Sequence, residues 1–235
     1  METSASALAT LGNIFLDPKQ AFNDIRGHAS WLWYPLLLSL VLCMGIFAWY
    51  YATADWDGIV QQTMDYIAGR NYPPETLEKI RTGLTRGGIL AQTAIFTAIF
   101  IVIVYLIEAL YLFMASKLGG YEVQGYGQWF SFVAWTNLPG AVAFVVMGIS
   151  YLFAGKHANL LNLDVTSLNT LLFKLKPGDN WFGLANSLHL TSFWVWGLMV
   201  VGFAQWTRQS LGKSAVITLA PYALIYGIWA LVKLI

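Results

Sequence analysis

From Ile89 to Ser116 the chain carries no Lys, Arg, Asp or His, and its one acid is Glu108. A helix needs about 20 predominantly apolar residues to cross about 30 Å of hydrocarbon, so this run alone argues for a bilayer. Four more runs of the same kind accompany it: Trp31 to Ala52, Gln128 to Ala154, Leu188 to Trp206 and Ser214 to Leu234. In a medium without water only helices and closed barrels satisfy every backbone group, and runs of this length read as helices. The expectation is an all-α polytopic membrane protein with five transmembrane helices, preceded by N-terminal amphipathic helices at the interface.

Composition agrees with that class. Of 235 residues, 57% are hydrophobic and 11% charged, against about 45–50% and about 25% in a soluble domain. Thirteen Lys and Arg against twelve Asp and Glu leave a formal charge of +1, which supplies no basic field for nucleic acid. The lone Cys43 has no second thiol with which to form a disulfide, a zinc site or a redox pair. Met1 to Thr10 lacks the Lys or Arg of a cleavable signal, so the first apolar run is expected to stay in the mature chain. Eleven Trp and twelve Tyr read as interfacial belts, because Trp31, Trp33, Tyr34, Trp49, Tyr51, Trp129, Tyr151, Trp206 and Trp229 mark the ends of runs. On that reading none of the aromatics is a site residue.

Ionisable and amide side chains within the runs are the candidates for function, since hydrocarbon penalises them. They are Glu108, Asn137 and His189. Glu108 either faces the bundle in a packing or functional role or is an interfacial carboxylate near Lys117. Asn137 lies just before Pro139 and either caps the turn that the proline breaks or lends a polar group to a cavity. His189 stands at the start of the fourth run, close to the interface. Pro221 should kink the fifth run, with the freed carbonyl finding a partner inside the bundle. Small residues mark packing faces: Ala91, Ala94, Thr97 and Ala98 on the second run, Gly197 and Gly202 on the fourth.

Catalytic motifs are missing. Neither His-Glu-x-x-His nor a phosphate-binding Gly-x-x-x-x-Gly-Lys-Ser/Thr occurs. The nearest approach to a serine-hydrolase elbow, Gly148-Ile-Ser150-Tyr151-Leu152, lacks its final glycine, and a dyad of Ser150 with His189 is disfavoured. No enzyme, metal or cofactor is expected.

Outside the runs, residues 1–30 form an interfacial segment and 31–235 a membrane domain with helical loops at 53–88 and 155–187. Apolar positions Leu8, Leu11 and Phe15, then Phe22 and Ile25, predict two short amphipathic helices. Asp17-Pro18 is a strong start signal for the second, because Asp accepts orphan amides and Pro at the first helical position has none to lose. The first loop reads as a helical hairpin broken at Asn71-Tyr-Pro-Pro, and its acids Asp55, Asp57, Asp65, Glu75 and Glu78 as a solvated surface. The second loop carries a short apolar helix near Thr166 to Leu175. Lys and Arg fall on both sides of the bundle, many in long loops that count for little, so charge does not fix orientation.

Several segments resemble the Yip-one domain family. The opening Asn13-Ile-Phe-Leu-Asp-Pro-Lys-Gln-Ala-Phe-Asn-Asp-Ile is similar to its signature before the first span. Leu118-Gly-Gly followed by Phe130, Phe132, Ala134, Trp135 and Leu138-Pro139 resembles its strongest pattern, and Trp194, Gly197 and Gly212-Lys213-Ser214-Ala215 resemble its closing hairpin. The resemblance implies five membrane helices and a cytoplasmic N-terminus, with Pro18 and Phe22 in a surface foot, Gly119 and Gly120 in a turn, and Pro139 in the broken third span. Eukaryotic members act in vesicle traffic and bind Rab-type GTPases through a longer tail. Only about 30 residues precede the first run here, without an acidic or low-complexity docking segment, which weighs against Rab-type binding. The compact loops look like the bacterial branch, implying the bacterial inner membrane. The expected partners are the lipid bilayer and a membrane protein or a second copy. Two roles follow: a non-enzymatic membrane organiser or assembler of partners, or a small ion or solute transporter using Glu108.

Overall fold

The computed structural model describes residues 6–68, 72–121 and 124–234. Among them the chain is helical, with one isolated bridge pairing Ser167 and His189. Four helical stretches are long and apolar enough to cross a membrane: Ala29–Thr53, Arg86–Leu118, Tyr126–Ala154 and Leu211–Leu234. The remaining expected run forms a helix of 18 residues, Leu190–Thr207, about 27 Å long at about 1.5 Å per residue, and is not among those four. The break expected at Asn71 and the charge of Arg70 lie outside the described residues, as does the start of the interfacial segment, residues 1–5.

The chain divides into two compact units, one of Met1–Val41, Ile99–Val142 and Thr191–Ile235, the other of Leu42–Ala98 and Ala143–Leu190. The first is built around the N-terminal helices. Ser6 accepts from the Ala9 amide at 3.1 Å to start α1 (Ala7–Leu16), and Asp17 accepts from the Gln20 amide at 3.2 Å to start α2 (Pro18–Arg26). α2 buries Ala21, Phe22 and Ile25. The Phe22 ring stacks 5.2 Å from Phe132, and its carbonyl accepts from Trp206 Nε1 at 2.9 Å. Gly202 permits this approach, since a Cβ there would overlap the Phe132 ring and come within 2.7 Å of Phe22.

Several expectations about faces change here. The stripe of Leu8, Leu11 and Phe15 is not the one α1 buries; Ala7, Thr10 and Ile14 are, and Leu8 is 72% exposed. On this inner face the Thr10 hydroxyl donates to the Ser6 carbonyl at 2.9 Å, with the Asp24 carboxylate of α2 3.3 Å away, and Ile14 is fully buried. Trp129 and Trp206, expected at an interface, are fully buried. With Phe22, Phe132 and Phe203 they fill a cluster whose ring centroids lie 5.0–5.5 Å apart, within the favourable aromatic range. Gly197 has nothing within 4 Å of where a Cβ would stand, so the small-residue contact of its helix rests on Gly202.

The long helix α6 (Arg86–Leu118) enters this unit at Ile99 and ends in a glycine cap. Gly120 adopts φ +66°, and the Tyr121 amide reaches back to the Ser116 carbonyl at 3.1 Å. Left-handed backbone favours glycine. A Cβ on Gly119 would overlap the Tyr121 ring.

The second unit has a core of tyrosines and aliphatics: Tyr50 and Tyr51 on α3 (Trp33–Thr53), Ile59 on α4 (Trp56–Ala68), Met147 and Tyr151 on α8 (Val142–Ala154), and Leu163 on α9 (Leu160–Leu163). The Tyr50 hydroxyl donates to the Ala158 carbonyl at 3.0 Å, and Arg86 Nη1 donates to the Tyr51 carbonyl at 2.6 Å. α6 meets this core through Ile89 and Leu90. Of the face expected from Ala91, Ala94, Thr97 and Ala98, the last three follow Leu90 at helical spacing and are half-buried, while Ala91 is exposed. The short helix expected near Thr166 to Leu175 is present as a single wide-turned helix, Asn169–Phe173. The Asn169 side chain shapes it by accepting from the Leu175 amide at 2.9 Å and donating to the Leu175 carbonyl at 3.2 Å.

Gly202→Ala is expected to destabilise the protein by about 1–3 kcal/mol through overpacking, read as a lowered unfolding temperature in detergent. Gly197→Ala, with open space at its Cβ, is expected to leave that temperature unchanged or to raise it, because alanine is the better helix former.

Candidate functional site

Glu108 sits on α6 ten residues before Leu118, about 15 Å from that end of the helix. Its two carboxylate oxygens are held by two different partners. Oε2 accepts from Asn137 Nδ2 at 3.0 Å, and Oε1 accepts from the Tyr222 hydroxyl at 2.6 Å. Asn137 stands where α7 (Tyr126–Thr136) gives way to a tight turn, Leu138–Ala141, that contains Pro139. Proline removes a backbone donor and stops the helix. The same Asn137 nitrogen donates to the Val133 carbonyl at 3.0 Å, so one amide serves both the break and the carboxylate. The Tyr222 oxygen also lies 3.3 Å from Met199 Sδ. Sulfur is the weaker acceptor, so the single hydroxyl hydrogen belongs to Glu108.

Tyr222 follows Pro221 inside α12 (Leu211–Leu234), which continues through the proline without a break in helical assignment. Pro221 has no amide to offer the Ile217 carbonyl four residues earlier. The Tyr111 hydroxyl of α6 donates to that carbonyl at 2.7 Å and replaces the missing bond. Between α6, α12 and Met199 of α11 (Leu190–Thr207) lies a cavity of about 450 Å³. Glu108, Tyr111, Thr218, Tyr222 and Tyr226 are the oxygen-bearing side chains of a lining that is otherwise apolar.

Of the three expected polar residues, the structure brings Glu108 and Asn137 together. His189 belongs to the other unit, where its Nε2 lies 2.8 Å from Asp164 Oδ2. Asp164 Oδ1 also accepts from the Thr166 amide at 3.0 Å and the Thr166 hydroxyl at 2.6 Å. Burial pushes the Asp164 carboxyl up, but the hydrogen bonds from His189 and Thr166 and the His189 charge outweigh it, so it titrates below its ordinary 3.8. The backbone closes the same corner: the Leu168 amide donates to Leu188 and the Leu190 amide to Thr166. Lys117, the alternative neighbour of Glu108, lies over the Phe113 ring at 5.8 Å. Ser150 donates to the Val146 carbonyl at 2.9 Å, while His189 is paired with Asp164. Among the described residues no group of three or more His, Cys, Asp or Glu could hold a metal ion.

Sequence reasoning missed Tyr222 and Tyr111, having assigned every tyrosine to an interface. The available signal was Pro221: a proline inside a span leaves a carbonyl without a partner, and only nearby polar side chains can supply one.

A family model described as the Yip1 domain matches residues 12–232. Searches of curated proteins and of solved structures gave no match.

Tyr111→Phe is expected to destabilise the protein by about 0.6–1.7 kcal/mol, the range of hydrogen bonds within membrane bundles, because it strips the Ile217 carbonyl of its donor. Glu108→Leu is expected to fold, since Asn137 keeps its bond to Val133; thermal unfolding in detergent reads both variants. The stability contributed by Asp164 is present above its ordinary 3.8 and lost as pH falls through its lower folded value. Asp164→Asn should therefore flatten the acid limb of an unfolding titration between about pH 5 and about pH 2.

Proposed function

The chain belongs to the Yip1 domain family, and we propose that it is a non-enzymatic, five-span protein of a bacterial inner membrane that organises the bilayer or assembles membrane partners. Its apolar helices make it an integral, multi-pass membrane protein, and its family is not known as enzymatic. α11 is the fifth span in this reading, supported by the lack of any Asp, Glu, Lys or Arg from Leu190 to Thr207. The N-terminal helices lie along the membrane surface, offering Leu8 and Leu16, 72% and 86% exposed, to the interface.

One observation carries the organising role over transport. Both oxygens of Glu108 are engaged by neutral donors from two other elements, Asn137 and Tyr222. The carboxylate thereby fastens α6 to the end of α7 and to α12. Conduction calls for polar groups in series across the bilayer, whereas the cavity beside Glu108 is walled mainly by aliphatic and aromatic side chains.

Ion and proton flux into liposomes carrying the purified protein, wild type beside Glu108→Gln, tests this. The expected result is no flux above empty liposomes for either protein across a panel of cations and pH values. Flux in the wild type that collapses in the variant would overturn the organising role and establish an ion pathway through Glu108.

A further inference from the structure

We propose that the cavity beside Glu108 binds a lipophilic organic cation drawn from the bilayer. Its volume of about 450 Å³ falls within the range of about 300–1,000 Å³ found for small-molecule sites. Three of the hydroxyl side chains in its lining direct their hydrogens to protein acceptors. Tyr111 donates to the Ile217 carbonyl, Thr218 to the Ser214 carbonyl at 2.9 Å, and Tyr222 to Glu108. These groups therefore present oxygen lone pairs to a ligand and no hydrogens. Glu108 accepts one hydrogen on each oxygen, while a carboxylate offers about four acceptor positions, so capacity remains. Among the described residues no ion pair involves it.

The rest of the lining favours the same charge. Tyr222, Tyr226 and Trp229 border the cavity, and Trp196, 5.2 Å from Tyr222 and 6.0 Å from Tyr226, packs against both rings. Aromatic faces attract cations, most strongly away from water. The surroundings then select the kind of cation. Glu108 lies within the apolar length of α6, ten residues from Leu118, which disfavours a strongly hydrated ammonium. A cation whose own body is apolar can reach it.

The test uses the full chain in phosphatidylcholine nanodiscs and two probes of one shape and opposite charge, tetraphenylphosphonium and tetraphenylborate, with bound probe measured by equilibrium dialysis. Wild type should bind tetraphenylphosphonium saturably, near one per protein, and Glu108→Gln at least 10-fold more weakly, with tetraphenylborate failing to displace it. No saturable binding above empty discs, equal affinity in Glu108→Gln, or equal displacement by the borate would overturn the proposal. Should Glu108→Gln not yield folded protein, Ile225→Trp decides. Ile225 lines the cavity and is 62% exposed, so the larger ring fills the space and should abolish binding, whereas undiminished binding would overturn the site. The site goes beyond the organising role: binding without ion flux supports both, and binding coupled to proton flux keeps the site while overturning that role.

Discussion

Hydrocarbon offers no hydrogen bonds, so a polar group that a span carries is costly unless it is answered from within the protein. Much of the first unit follows from that constraint. Pro221 leaves the Ile217 carbonyl without its helical donor, and Tyr111 supplies one. Glu108 brings a carboxylate into the apolar run, and Asn137 and Tyr222 answer it. Each of these bonds joins different helices, so satisfying a local deficit also fixes how those helices meet.

Packing supplies the second organising contact. Helix association in lipid gains little from the hydrophobic effect and depends on close van der Waals fit. At Gly202 the missing side chain lets the Phe22 and Phe132 rings approach the helix backbone. The Trp206 indole then donates to the Phe22 carbonyl, so the N-terminal segment is bound by shape and by a directed bond together. Asp17 and Pro18 set the start of α2 and with it the position of Phe22 along the helix.

Four of the five expected spans and the start of α2 were legible because composition and capping act locally. Runs without charge cannot be hidden by tertiary structure, and Asp17-Pro18 carries its own geometry. What tertiary contact decides was not legible. Trp129 and Trp206 carry the composition of an interfacial belt and the burial of a core, and only the convergence of α2, α7 and α11 distinguishes the two. α1 buries Ala7, Thr10 and Ile14 where a hydrophobic stripe pointed to Leu8 and Leu11, because tertiary contact selects which of two apolar-containing faces turns inward. The candidate site was half legible: the scarcity of polar groups singled out Glu108 and Asn137, but Tyr222 lies 114 residues from Glu108 in sequence and looked like any other tyrosine. His189 was likewise visible as a polar residue, while its partner Asp164 lies in a loop that was read only for its short apolar helix.

The chemistry of the cavity follows from backbone deficits more than from the identity of its side chains. Tyrosine and threonine hydroxyls can donate or accept, so a lining of Tyr111, Thr218 and Tyr222 could in principle suit either kind of ligand. Pro221 removes that freedom from Tyr111 by drawing its hydrogen to Ile217. The Ser214 carbonyl does the same to Thr218, and Glu108 to Tyr222. Once these three hydrogens are committed, their oxygens are left as acceptors before any ligand arrives. A proline that breaks no helix still acts at a distance, by deciding which way a hydroxyl on the neighbouring helix must turn.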